Sequence, residues 1–222
     1  MRPRLSASCL LFDMDGTLID ATKLIERIWI SWCRRHGIGP EPLLAESRGQ
    51  RIVDTVRKYA PNADVDAEVE WLSRQAHEEP AGPDAMPGAA AFLEGAPRNR
   101  WAVVTSAKRA LATQWLAAAG LPLPPVCITG DDVTQGKPDP SGYLLGLARL
   151  NCTPSQAVVF EDAAAGVEAA QRAGIPVVGV SNPDIQSHPA LSSWVPDFTY
   201  LSLLRDDNSQ TCIIAVSDRT GR

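Results

Sequence analysis

The chain has 222 residues, 45% hydrophobic and 21% charged, with a formal net charge of −5 and a pI near 5.2. This length buries a substantial core without disulfides or a structural metal, and the ordinary composition excludes disorder as the dominant state. The acidic balance and the lack of a Lys/Arg stripe argue against a nucleic-acid partner, so positive potential for an anionic ligand has to be built locally.

Cys9, Cys33, Cys127, Cys152 and Cys212 are scattered and show no CxxC or Cys/His metal spacing, so the expectation is reduced thiols. No apolar run approaches the roughly 18 to 20 residues of a membrane span. The opening MRPRLSASCLLF runs straight into a strand rather than a signal-peptide cleavage site. A cytoplasmic protein without a membrane partner is expected.

In chain order, the apolar Cys9 to Phe12 precede DMDGT and read as a buried strand ending in a tight loop. Ile25, Ile28, Trp29, Trp32 and Cys33 recur at helical spacing up to the stop at His36 and Gly37. Helical stretches follow near 51–59 and 66–77, and no convincing strand lies between Ala21 and Ala85. Pro80, Gly82, Pro83, Pro87 and Gly88 then punctuate the chain as a hinge.

Beyond the hinge, strands at 102–104, 126–129, 157–160 and 177–180 alternate with helices at 108–119, 141–150 and 163–173. Such alternation predicts an α/β fold with a doubly wound parallel sheet, whose ligands bind outside the carboxyl ends of the strands. The predicted organisation is a core from 1–20 and 86–205, an all-helical insert at 21–85, and a tail at 206–222 that is an edge strand or partly disordered.

The residues after each strand are the informative ones. Asp13 and Asp15 stand two apart, held by Gly16 and Thr17, and point the same way. Two facing carboxylates need a cation between them or a proton on one, unless they merely form an acidic turn capping the next helix. Magnesium suits oxygen ligands beside a phosphate. Thr105 and Ser106 offer hydroxyls and N–H groups at a helix start, as an N-cap or a phosphate cradle. Lys137, fixed between Gly136 and Pro138, is a point charge if it is not a solvated lysine. Glu161 and Asp162 open an alanine-rich helix, where acidic residues also suit the helix dipole. Taken together, four strand ends deliver a nucleophile, a metal site and a charge clamp, the requirements of phosphoryl transfer.

The segments FDMDGTLID, WAVVTSA, GKPDP and VVFEDAAAGVEAAQRAG resemble the four ordered motifs of the haloacid dehalogenase superfamily, with the helical insert resembling that family's small cap. SRGQRIVDTVRKYAP and ITGDDVTQGKPDPSGYL further resemble its glycerol-3-phosphate and 2-deoxyglucose-6-phosphate phosphatase branch. The resemblance implies a Rossmann-like core and magnesium-dependent hydrolysis of a small phosphorylated metabolite, a sugar or polyol phosphate.

It further implies Asp13 as the nucleophile that becomes an aspartyl-phosphate, Asp15 as acid and base, and Thr105 and Lys137 as holders of phosphoryl oxygens. Mg²⁺ would be bound by the Asp13 side chain, the Asp15 backbone carbonyl and Asp162, with Glu161 binding directly or through water. Ser106, Gly16 and Thr17 are the expected substrate contacts in the core, and Arg51 the one reaching in from the cap. The alternative is a β-phosphoglucomutase-like isomerase, which expects a histidine about a dozen residues past the nucleophile, where Ile25 and its neighbours supply none. His36, His77 and His188 have no motif partners and read as surface or packing residues.

Overall fold

A computed structural model of the chain describes residues 4–80, 82–205 and 211–217. The chain opens with β1 (Arg4–Ala7), β2 (Cys9–Phe12) and β3 (Ile19–Asp20). Four helices follow, α1 (Thr22–His36), α2 (Pro40–Ser47), α3 (Ile52–Tyr59) and α4 (Val65–His77), and then β4 (Asp84–Ala85). The second half runs α5 (Ala89–Gly95), β5 (Trp101–Val104), α6 (Arg109–Ala118), β6 (Val126–Ile128), α7 (Ser141–Leu150), β7 (Ala157–Glu161), α8 (Ala164–Arg172) and β8 (Val177–Val180). It finishes with β9 (Leu191–Val195), β10 (Leu201–Arg205) and β11 (Cys212–Val216).

Strands β6-β5-β2-β7-β8-β9 form one parallel sheet in that order. Every residue of β2, β5, β7 and β8 is buried, as expected for strands covered on both faces. Alternation along β2 sends Leu10 and Phe12 into one apolar layer and Cys9 and Leu11 into the other. In the first layer Phe12 stacks on Phe160 with ring centroids 4.8 Å apart. Phe12 is in register with both Val103 and Phe160, so the residues after β2, β5 and β7 emerge along the same sheet edge.

Helices α1 to α4 form a cap with its own apolar centre, including Trp29, Trp32, Leu43, Val56 and Leu72. The α4 start is capped by the Asp64 side chain, which accepts from the Ala67 N–H. The chain leaves and re-enters the core through β3 and β4, which pair antiparallel. Asp84 and Ala85, at the end of the span expected to be wholly helical, are therefore extended, because the two passes satisfy each other's backbone. Helix α2 opens on Pro40 and buries Leu43 as its one fully covered side chain, which leaves little periodicity to read.

Within the tail, residues 212–216 form an inner strand rather than the expected edge strand. β11 lies between β1 and β10 in a three-stranded antiparallel sheet, and Cys212 and Ile214 pack into the core layer that holds Phe12. Positions 206–210 and 218–222 of that tail lie outside the described residues. Two of the scattered cysteines are neighbours in space: Cys9 and Cys152, 143 residues apart in sequence, lie with Cα atoms 6.7 Å apart. The proximity comes from the pairing of β2 with β7, which sets Cys9 beside Ala157, and no local spacing announces it. No helix among the described residues is long and apolar enough to cross a membrane.

Candidate active site

Asp13 directly follows β2, and its N–H donates to the Phe160 carbonyl at 2.9 Å, tying the start of the loop to β7. The next turn requires a glycine. Gly16 has φ of +86°, and a Cβ there would fall 2.2 Å from Asp162 Oδ2. Gly16 thus makes room for Asp162, and the Ser181 hydroxyl holds its carbonyl at 2.6 Å.

Lys137, in the turn after β6, is only 6% exposed, which removes the solvated-lysine alternative. Its Nζ donates to Asp13 Oδ1 at 2.5 Å and to Glu161 Oε1 at 2.6 Å. Tyr143, buried on α7, donates its hydroxyl to the same Glu161 oxygen at 2.8 Å. Glu161 Oε2 accepts from the N–H groups of Asp162 and Ala163 at 3.0 and 3.1 Å. A carboxylate offers about four lone-pair positions, and here protein donors fill them, so Glu161 orders its neighbours.

Oxygens of Asp13, Glu161 and Asp162 all lie within 4.8 Å of one another, and all three residues are buried. Asp162 Oδ1 and Asp15 Oδ1 are buried without a hydrogen-bond partner. Burial pushes the Asp13 carboxyl well above its ordinary range; Lys137 opposes the shift and the neighbouring carboxylates add to it. Burial raises Asp15 to about 7 against the pull of Lys137 and a hydrogen bond from Thr105. It raises Asp162 to about 8, helped by Glu161 and opposed by Arg48. Lys137 is desolvated too, but Asp13 and Glu161 more than compensate and hold its ammonium charged. Hard oxygen ligands, crowded negative charge and an orphaned Asp162 oxygen together fit a divalent cation.

Thr105 follows β5 and its hydroxyl lies 3.4 Å from Asp15 Oδ2 while accepting the Ala107 N–H at 3.0 Å. Ser106 donates to the Gly49 carbonyl of the cap at 2.7 Å. Between cap and core lies a cavity of about 120 Å³ with Asp13, Asp15, Asp162 and Ser106 in its wall. Its far side is largely apolar, with Ile25 and Trp29 from α1, Leu72 from α4 and Trp115 from α6.

Five expected substrate contacts lie outside this wall. Gly16, Thr17, Thr105 and Lys137 do not line the cavity, although Thr105 reaches Asp15 and Lys137 reaches Asp13. Arg51 stands at the start of α3 and turns away from it: Nε and Nη2 pair with Asp54, at 2.7 and 3.0 Å, and Nη1 and Nη2 donate to the carbonyls of Val133 and Thr134, at 2.8 and 2.9 Å. The arginine facing the carboxylates is Arg48, 3.6 Å from Asp162 Oδ2 and 3.7 Å from Glu26 Oε1. Both arginines sit in SRGQR, and the direction of the loop, which decides between them, leaves no trace in residue type. Tyr143 was within reach of sequence reasoning, since it follows Lys137 by six residues in GKPDPSGY at a helix start. The histidines stay outside the cavity; His36, for example, packs on Trp32 with ring centroids 4.5 Å apart.

Hexitol phosphatase A of Escherichia coli is 41% identical over 181 residues, covering 78% of this chain and 82% of that protein. Glycerol-1-phosphate phosphohydrolase 2 of Saccharomyces cerevisiae is 33% identical over 192 residues, covering 80% and 76%. Among solved structures, CbbY from Rhodobacter sphaeroides in complex with phosphate superimposes with a TM-score of 0.71 at 23% identity, over 86% of this chain and 95% of that one. This last likeness concerns the fold alone. The model of the haloacid dehalogenase-like hydrolases matches residues 10–180, the span that carries all four strand-end motifs, and the chain is an enzyme of that family.

Proposed function

We propose that the chain is a magnesium-dependent phosphatase acting on a small sugar or polyol phosphate. The observation that carries this reading is the pairing of Asp13, fixed against the Lys137 ammonium at 2.5 Å, with Asp15, whose carboxyl is raised to about 7 and so can both give and take a proton near neutrality. A carboxylate oxygen of Asp13 forms the bond to phosphorus as the ester P–O bond breaks, and Asp15 delivers its proton to the departing alkoxide. Asp15 then takes a proton from the water that attacks the aspartyl-phosphate, releasing inorganic phosphate and restoring Asp13. Lys137 and Thr105 hold phosphoryl oxygens. Mg²⁺, when bound, neutralises charge on the nucleophile and the phosphoryl group. The Asp13 side chain, the Asp15 carbonyl and Asp162 would hold it, with the saturated Glu161 behind them.

The named relatives support the substrate class, since one is a hexitol phosphatase and another a glycerol-1-phosphate phosphohydrolase. The mutase alternative gains no support from the site, where Ile25 lines the cavity and no histidine does. Phosphate release over a panel of polyol, sugar and carboxylate-bearing phosphate esters tests the reading. Turnover of p-nitrophenyl phosphate with none of any sugar or polyol phosphate would overturn the substrate class.

A further inference from the structure

The cavity over Asp13 is not the only space between cap and core. An outer cleft of about 700 Å³ runs between the cap helices α2 and α3 and the core residues Pro138, Ala164 and Asn182. The two spaces share Glu26, Leu44, Ser47, Arg48 and Gln50 in their walls. Arg48 therefore stands at the partition, tethered on one side to Glu26 of α1 and on the other to Asp162 of the core.

Neither tether is tight. At 3.6 and 3.7 Å both exceed ordinary hydrogen-bond length, and the Arg48 and Glu26 side chains stay 34% and 45% exposed, so the pair contributes little to the stability of the fold and its effect is to fill the passage between the two spaces. The inner space is small. It measures about 120 Å³ against about 700 Å³ for the cleft beyond the partition, so a longer chain has to extend past Arg48. Beyond it, the carboxylates of Glu46, Asp54 and Glu168 are paired with Lys58, Arg51 and Arg172 and Asp184 adds a further acidic side chain, so the outer-cleft cations are already engaged and the cleft suits neutral hydroxyls better than a second anionic group.

We infer that the Glu26–Arg48 pair is the specificity-determining partition of this enzyme. It confines preferred substrates to short, neutral phosphate monoesters and, once removed, admits longer polyol phosphates into the outer cleft. The inference rests on the phosphatase reading above but concerns chain length, which can be measured independently of the natural substrate.

The test compares glycerol phosphate with six-carbon alditol phosphates, and ω-hydroxyalkyl phosphates of three and six carbons, in the full chain with Mg²⁺. Each compound is read by kcat/KM or, where it is not turned over, by its inhibition of p-nitrophenyl phosphate hydrolysis. The unmodified enzyme should favour the three-carbon member of each pair. Glu26→Ala and Arg48→Ala should each raise the six-carbon to three-carbon ratio about tenfold, within the range by which pocket size discriminates. Arg27→Ala, one residue along α1 in an exposed pair with Glu79, should leave the ratio unchanged. Because Arg48 also touches Asp162, Glu26→Ala, which removes no direct contact to the carboxylate cluster, is the cleaner of the two variants. An unchanged ratio in Glu26→Ala, an equal change in Arg27→Ala, or a six-carbon preference in the unmodified enzyme would each overturn the inference. If the hydroxyalkyl series shows the length effect while no sugar or polyol phosphate binds, the substrate class fails and the partition stands.

Discussion

The Nζ of Lys137 lies 2.6 Å from Glu161 Oε1, the oxygen that also takes the Tyr143 hydroxyl. One ammonium thus binds Glu161 on one side and Asp13 on the other, and Glu161 is anchored in turn from α7. Lys137→Met would leave two buried carboxylates without their cation and should destabilise the fold by about 3 to 5 kcal/mol, besides abolishing turnover. Tyr143→Phe keeps the buried ring and removes one donor of several, so a loss of about 1 kcal/mol is expected. Urea denaturation of both variants distinguishes the roles, and equal losses would show that the Tyr143 hydroxyl matters as much as the ammonium.

Stability should also depend on pH and metal together. Asp15 and Asp162 are raised by burial to about 7 and about 8, above the range of an unfolded carboxyl. In the folded state they therefore keep protons that the unfolded chain has lost. Their contribution is fully favourable below about pH 4, where both states are protonated, and is lost as pH rises toward 7 and 8. In chelator, Tm should accordingly fall between pH 5 and pH 8. Added Mg²⁺ should raise Tm more at pH 8 than at pH 6, because protons compete with the cation at low pH. A Tm increment independent of pH would place metal binding away from this cluster.

Much of the site was legible because a parallel sheet brings the ends of its strands to one edge. Asp13, Lys137 and Asp162 each follow a strand or its turn and meet, and Thr105, after β5, joins them through Asp15. The cap was legible as helices but not as surfaces. Arg48 and Arg51 share one short loop, and only the docking of α3 on the 133–134 carbonyls turns one outward and the other in. β11 was obscure for a related reason: its partners β1 and β10 include the far end of the chain, and Cys212 to Val216 gain a fixed place only once both are beside them. Cys9 and Cys152 likewise met through β2–β7 register.

The two aspartates after β2 should separate by kinetics. Asp13→Asn removes the attacking oxygen and should be nearly inactive, with no phosphoenzyme seen by intact-protein mass spectrometry. Asp15→Asn keeps the nucleophile and loses the proton carrier, for an expected drop of about 10²- to 10⁴-fold in kcat. Phosphoenzyme formed by Asp13→Asn would move the nucleophile to another residue.

Arg51 should behave as a latch between cap and core. Its guanidinium joins Asp54 at the start of α3 to the carbonyls of Val133 and Thr134 beside the Lys137 turn, and its side chain is only 11% exposed. A Cβ on Gly136 would fall 2.7 Å from Arg51 Nε, so the glycine lets the arginine lie flat against that turn. Arg51→Ala removes charge-assisted bonds of about 1.5 to 3 kcal/mol in the closed form. Closure is common to every substrate, so kcat/KM should fall roughly 10- to 150-fold by similar factors for a polyol phosphate and for p-nitrophenyl phosphate. Lys in place of Arg51 should recover little, because a single ammonium cannot span two carbonyls and a carboxylate as the planar fork does. A loss confined to the polyol phosphate would show instead that Arg51 leaves the latch and reads the substrate.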